Sequence, residues 1–267
     1  MRTIPDDFDP DVVTTIDARL DAVERDHGVR VPWAIESGSR AWGCSSPDSD
    51  YDCRFFFVGP ARSYADLWPG RDVIETPLEG LLDVNGWDVR KAVRLAVAGN
   101  ATVGEWLRSP WVYRGDPEFR DALLALVSDV ADRSRLRRHY VHVGRGQWSR
   151  SGARGGRANL KRVFYAVRPA ATLVWLDQHD GVPPMNLDEL VEQTSIPEDV
   201  LEQLAALRAL KSRTRELGDA DVPPAIARWV EQVLDAEPIR AGSPSREVKD
   251  RAADAFMALV ERWAPAS

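Results

Sequence analysis

Two apolar runs separated by a loop of Gly, Ser and Pro constrain this chain more than any other segment. Val31–Ser37 reads as a buried strand, and Asp52–Val58 (Asp-Cys-Arg-Phe-Phe-Phe-Val) reads as a second, closed by Gly59-Pro60. Between them the chain leaves the first strand through Gly38-Ser39 and returns at Asp50-Tyr51-Asp52. Side chains alternate along a strand, so Asp50 and Asp52 point to one side. Two carboxylates this close repel unless a cation sits between them. Mg²⁺ (or Mn²⁺) takes one or two carboxylates together with substrate phosphates. Gly38 permits close approach of backbone to a ligand, and backbone N–H groups at Gly38-Ser39 can hold phosphate oxygens.

Two other phosphate- or metal-binding motifs fail on single residues. Gly38-Ser-Arg-Ala-Trp-Gly43 has the glycine spacing of a P-loop, but Cys44 stands where that motif requires lysine. Asp48-x-Asp50-x-Asp52 begins like an EF-hand loop. Its sixth position is Cys53 rather than Gly, and its twelfth is Gly59 rather than Glu. The plain alternative is a solvated turn whose acids cap the loop; Gly-Ser upstream and a strand on each side favour the metal-phosphate reading.

The rest of the chain divides in character near Pro117. Before it, residues 10–27 form a helix with Val12, Ile16, Leu20 and Val23 on one face, stopped by Gly28. Arg71–Pro77 and Leu81–Gly86 read as further strands, followed by helices at Asp88–Ala98 and Thr102–Arg108. After it, helices are expected at 118–131, 134–143, 158–180, 186–193, 197–217, 223–235 and 245–263, with Gly144–Gly156 as a loop. No internal repeat is visible. The expected fold class is therefore α/β (α+β): a mixed sheet flanked by helices over 1–116, then an all-helical domain over 117–267 with the substrate cleft between them.

Composition narrows the setting. The 267 residues are 44% hydrophobic and 29% charged, enough for a substantial core. No apolar run approaches the ~20 residues of a membrane span. The acidic N-terminus has no apolar leader, so a cytoplasmic location is expected, with no membrane partner. Cys44 and Cys53 are the two cysteines, and in a reducing cytosol they are expected to be free thiols. The net charge of −7 argues against bulk binding of nucleic acid. Yet the segment 131–168 carries eleven Lys or Arg against one acid, Asp132, so residues 133–168 are a candidate surface for a polyanion such as RNA.

Gly38-Ser39, ten intervening residues and Asp50-Tyr51-Asp52-Cys53 resemble the signature of the DNA polymerase β superfamily of nucleotidyltransferases. Five longer stretches resemble, more closely, the predicted nucleotidyltransferase family assigned to an RNA repair pathway. They are Glu36-Ser-Gly-Ser-Arg-Ala-Trp-Gly, Pro47-Asp-Ser-Asp-Tyr-Asp, Arg71-Asp-Val-Ile-Glu, Asp83-Val-Asn-Gly-Trp-Asp-Val-Arg-Lys and Glu105-Trp-Leu-Arg-Ser-Pro. Lys161 to Pro169 and Pro183-Pro-Met-Asn resemble that family's helical part. The resemblance runs from about residue 30 to about residue 217. It implies a metal-dependent transfer of a nucleotidyl group from an NTP to an acceptor hydroxyl, most plausibly an RNA end. It also implies a third carboxylate on a later strand. Asp83, between Leu82 and Val84, is the best match; Asp88 is the rival but sits where a helix N-cap belongs. A protein side chain or a small molecule are alternative acceptors, and a nucleotide-binding module without catalysis is a further reading.

Around this centre, Arg40 is a candidate triphosphate contact or a surface arginine. Lys161 and Tyr165, at i and i+4 of a helix, share a face and are candidates for phosphate and for base or ribose. Packing of an amphipathic helix is the alternative. Arg145, Arg150, Arg154 and Arg157, interleaved with Trp148, suit single-stranded nucleic acid or a solvated linker. His139 and His142 are too few for a metal site of their own. Trp87 and Trp106 are expected in the core.

Overall fold

In the computed structural model, residues 1–153, 157–211, 218–235 and 241–266 are described. The chain forms a five-stranded mixed sheet flanked by helices, with a helical region towards the C-terminus. Two compact units result. One comprises Met1–Gly38, Asp50–Ala131 and Ser243–Ser267; the other comprises Ser39–Ser49 and Asp132–Gly242. These units do not follow a single cut between residues 116 and 117.

The first unit opens with α1 (Pro10–His27). Asp9 caps it by accepting the Asp11 N–H, Pro10 supplies a preset first turn, and Gly28 (φ 60°) ends it in the left-handed region. Its inner face is Val13, Ile16, Leu20 and Val23, with Val12 only partly buried. Then follow β1 (Arg30–Glu36), the one-turn α2 (Gly38–Ala41), β2 (Tyr51–Val58), β3 (Val73–Glu75) and β4 (Leu82–Asp88). Next come α3 (Val89–Val97), α4 (Thr102–Leu107), β5 (Val112–Gly115) and α5 (Pro117–Val130). The strand order is β3-β4-β2-β1-β5, with β2 and β4 parallel and the other neighbours antiparallel. The strand β5, absent from the sequence reading, pairs with the outer edge of β1.

Alternation along β2 and β4 gives the sheet two unlike faces. Tyr51, Cys53, Phe55, Phe57, Leu82 and Val84 join the α1 residues in one core. The other face is apolar at one end, where Phe56, Trp87 and the buried Trp106 meet, with Trp87 and Trp106 ring centroids 4.2 Å apart. At its other end it carries Asp52, Arg54, Asp83 and Asn85. The apolar end anchors the sheet against helices and leaves the polar end for chemistry.

The second unit contains α6 (Arg133–Ser151), β6 (Arg157–Asn159), α7 (Leu160–Gln178), α8 (Leu187–Glu192), α9 (Glu198–Lys211), β7 (Asp219–Asp221) and α10 (Pro224–Leu234). The pairing of β6 with β7 makes it helical rather than all-helical. The expected loop at Gly144–Gly156 is helix as far as Ser151. Gly144 is a packing residue, not a breaker: a Cβ there would lie 2.6 Å from Leu234 Cδ2 and 3.3 Å from Pro169 Cβ. The last helix, α11 (Arg246–Trp263), returns to the first unit. There Trp263 stands edge-on to Phe119, and its indole N–H donates to Asp116 at 2.8 Å. The expected helix end at 212–217 lies outside the described residues. Among the described residues, no helix is long and apolar enough to cross a membrane.

Candidate active site

The first unit brings Gly38, Asp52 and Asp83 together. Parallel pairing of β2 with β4 places Asp52 directly opposite Asp83, and strands so paired lie about 4.8 Å apart. Both side chains are about a quarter to a third exposed. Gly38 has φ +61°, and a Cβ on it would stand 2.1 Å from Asp52 Oδ2. The glycine therefore lets that oxygen pack directly against the backbone, where a side chain would otherwise stand. Asp50 lies just before β2, half-buried.

Three further groups organise these carboxylates. Arg54, two residues beyond Asp52 on the same face, donates through Nη2 to Asp52 Oδ1 at 2.9 Å and to Asp83 Oδ2 at 2.7 Å. Asn85 donates to Asp83 Oδ1. Behind the strands, Glu36 is fully buried. Its carboxylate accepts the Asp52 N–H at 3.0 Å and the Tyr113 hydroxyl at 2.6 Å, and its carbonyl accepts the Ser109 hydroxyl at 2.7 Å. Burial, followed by the Glu36 charge, pushes the Tyr113 hydroxyl well above its ordinary pKa. Burial raises the Cys53 thiol likewise, with Glu36 again adding to the effect. Both cysteines are free and buried.

Arg54, Asn85 and Glu36 were not among the sequence candidates. The signal for the first two was the same period-2 spacing that paired Asp50 with Asp52: Arg54 and Asn85 each follow a carboxylate by two residues. Glu36 carried no such signal, because a charged residue ending an apolar strand reads equally as a surface terminus. Asp88 is the N-cap of α3: its carboxylate accepts the Arg90 N–H at 2.7 Å and the Tyr64 hydroxyl at 3.2 Å, and burial raises its pKa. It lies five residues beyond Asp83 on β4, roughly 16 Å along the strand.

The other candidates belong to the second unit. The loop Ser39–Ser49 is held there by four consecutive carbonyls. Ala41 O accepts from Asn186 Nδ2 at 3.1 Å, and Trp42 O from the Leu187 N–H at 3.1 Å. Gly43 O accepts from Arg208 at 2.6 Å, and Cys44 O from the buried Lys211 ammonium. Ser39 is buried, and its carbonyl accepts the Cys44 N–H at 3.0 Å. Arg40 donates to the Ser49 carbonyl at 2.7 Å, closing the loop immediately before Asp50. Lys161 Nζ lies 5.9 Å from the Tyr165 ring centroid, so the i, i+4 pair does meet. Tyr165 in turn stands edge-on to Trp42, and the Arg168 guanidinium lies 4.2 Å from the Trp42 ring centroid.

The basic segment is partly internal. Arg133, Arg135 and Arg137 pair with Asp180, Asp132 and Asp177. Arg145 donates to the Leu234 carbonyl, and Arg157 to the Asp219 carbonyl. Trp148 is buried, with its indole N–H on Glu231, so it offers no open face for stacking on a base. Arg154 lies outside the described residues.

Carboxylates are hard oxygen donors suited to Mg²⁺, and the facing pair Asp52 and Asp83 supplies them from two adjacent strands. Among the described residues, no three acidic, His or Cys side chains converge as a ready-made metal cage. Oxygens of Asp52 and Asp83 are instead shared by Arg54.

A mixed sheet presents strand carboxylates beside a Gly-Ser turn, with a helical region following, in a chain whose family match is to DNA polymerase β-like proteins. The RNA repair pathway DNA polymerase beta family (RlaP) matches residues 12–258, and the chain belongs to that family. It is 34% identical over 198 residues to the uncharacterized protein YcgL of Bacillus subtilis (strain 168), covering 74% of this chain and 76% of that one.

Proposed function

We propose that this protein transfers a nucleotidyl group from a nucleoside triphosphate to an acceptor hydroxyl at an RNA end. One observation carries the reading: Asp52 and Asp83 face each other across parallel strands, and Asp52 Oδ2 packs against the glycine of the Gly-Ser turn. Asp50, Asp52 and Asp83 are the residues to hold Mg²⁺ or Mn²⁺. Bound there, the cation supplies charge neutralisation for the triphosphate and acidifies the attacking hydroxyl. Asp83 orients the acceptor hydroxyl and takes its proton. The acceptor oxygen bonds to the α-phosphorus as the α–β bridging bond breaks, and pyrophosphate leaves.

Backbone N–H groups at Gly38 and Ser39 hold phosphate oxygens. Arg40, which ties the loop at Ser49, adds positive charge there. Lys161 takes a phosphate and Tyr165 the base or ribose. The RNA acceptor is supported by the family to which the chain belongs and by the concentration of Lys and Arg in residues 133–168.

The test incubates the protein with Mg²⁺ or Mn²⁺, each α-labelled NTP in turn, and separate RNA and protein pools. Label is expected in RNA, and it is expected to disappear in Asp52→Asn and Asp83→Asn. Label confined to protein overturns the RNA acceptor. Unchanged transfer in Asp50→Ala plus Asp52→Ala overturns the metal site.

A further inference from the structure

Arg54 holds the two facing carboxylates of the site with one guanidinium. Besides the two Nη2 bonds, its Nη1 donates to the Asp83 and Cys53 carbonyls, each at 3.0 Å. Its side chain is 18% exposed, less than Asp52 at 25% or Asp83 at 30%. A planar fork with several fixed donors suits this bridging, and lysine, a single point charge, could not reproduce it. The arrangement follows from the strand itself, because residues 52 and 54 share a face and the β2–β4 register sets Asp83 beside them.

The oxygens that Arg54 occupies are Asp52 Oδ1 and Asp83 Oδ2, one from each of the two strand carboxylates that would hold a divalent ion. An ion placed there meets a like charge at contact distance, in a partly desolvated site where repulsion is screened less than in water. Asp52 Oδ2 faces Gly38, and Asp83 Oδ1 is taken by Asn85. The protein's own carboxylates therefore offer a divalent ion a contested site. A triphosphate adds anionic oxygens as further ligands and so tips the balance.

Resting on the nucleotidyl-transfer reading above, we propose that Arg54 is a built-in counter-ion that makes metal loading depend on the nucleotide. It is a positioning residue. It keeps Asp52 and Asp83 in register without metal and yields their oxygens only when metal and triphosphate arrive together.

The test measures Mn²⁺ binding by EPR of the free ion, with and without an α,β-methylene triphosphate analogue. Wild type is expected to bind Mn²⁺ weakly alone and more tightly with the analogue. Arg54→Gln is expected to bind Mn²⁺ alone on the order of tenfold more tightly. By reciprocity, the enhancement from the analogue should shrink by the same factor. Arg54→Lys, which keeps the charge but loses the fork, should fall between wild type and Arg54→Gln. Folded Arg54→Gln that binds Mn²⁺ no more tightly than wild type overturns the inference. Should that variant fail to fold, side-chain ¹⁵N NMR of wild type decides. The Arg54 guanidinium signals are expected to move when Mg²⁺ and the analogue are added together and to hold still with Mg²⁺ alone; signals unmoved at saturation overturn the inference. Analogue-dependent Mn²⁺ binding that is lost in Asp52→Asn, with Arg54→Gln unchanged, sinks the Arg54 role while the transfer reading stands. No Mn²⁺ binding by wild type under any condition removes both.

Discussion

Gly38 and the carboxylate of Asp52 are packed so closely that a methyl group on the glycine would lie 2.1 Å from Asp52 Oδ2. The same glycine has φ +61°, a conformation that costs an L-residue about 1–2 kcal/mol. Gly38→Ala is therefore expected to do two separable things. It should lower stability by about that amount in urea unfolding. It should also drive the Asp52 carboxylate aside, with a fall in kcat/KM for nucleotidyl transfer of roughly a hundredfold or more. A variant with the stability loss but full activity would show that the position of Asp52 Oδ2 does not matter for transfer.

Glu36 and Tyr113 give the site an alkaline limit. The Tyr113 hydroxyl donates to the buried Glu36 carboxylate, and its pKa is raised by burial and by that charge. The folded protein thus keeps a proton that the unfolded chain releases above about pH 10. Above that pH the unfolded state binds fewer protons, so stability falls as pH rises. Wild type is expected to lose about 1.4 kcal/mol more per pH unit than Tyr113→Phe above pH ~10. At pH 7 the variant should be less stable by about 1–2 kcal/mol, because a buried carboxylate loses a partner. Urea unfolding between pH 7 and 11 checks both; parallel curves would exclude Tyr113 as the titrating group.

Sequence patterns located the strands β1, β2 and β4 and the helices α1 and α3, because each joins a clear period to a clear stop. Asp88 shows how local chemistry settles a choice. Its place before Val89-Arg90 marked an N-cap, and its carboxylate does take the Arg90 N–H. The strand β5 was hidden because four residues between Ser109-Pro110 and Gly115-Asp116 have too short a period to read. The Ser39–Ser49 loop was legible as a turn, but its four-carbonyl attachment depends on Asn186, Leu187, Arg208 and Lys211, over 140 residues away in sequence. In sequence Arg54 is one strand residue before three phenylalanines; only the register with Asp83 gives it a role.

Gly144 and Gly146, both within α6, are expected to respond oppositely to alanine. A Cβ at Gly144 meets Leu234 and Pro169, so Gly144→Ala should destabilise by about 1–3 kcal/mol through overpacking. A Cβ at Gly146 meets only the Arg150 guanidinium, at 3.4 Å, so Gly146→Ala should be neutral or stabilising by up to about 1 kcal/mol. Thermal melts of the two variants check this. Equal losses would show that helix propensity and packing have been wrongly separated at these positions.

The carbonyl clamp on the Ser39–Ser49 loop makes a prediction that joins loop order, stability and function. Lys211 is buried, stands over the Phe164 ring at 5.3 Å and donates to Cys44 O. Methionine has a similar length and packs on an aromatic ring, so it leaves little cavity, but the buried Cys44 carbonyl loses its donor. Lys211→Met is therefore expected to lower unfolding free energy by about 1–3 kcal/mol. The loop thereby loses the donor at Cys44, and Arg208→Ala removes the one at Gly43. Hydrogen exchange in residues 39–49 should rise in both variants, and KM for the triphosphate should rise roughly tenfold, because small displacements of positioning groups are costly. Arg208→Ala should also lose about 1–2 kcal/mol of stability, since Asp188 is left without its guanidinium partner. Combining the two should give less than the sum of the KM effects, because adjacent carbonyls of one loop respond as a unit. Full additivity, or a rise in KM without faster exchange in the loop, would show that Lys211 and Arg208 act elsewhere than through the clamp.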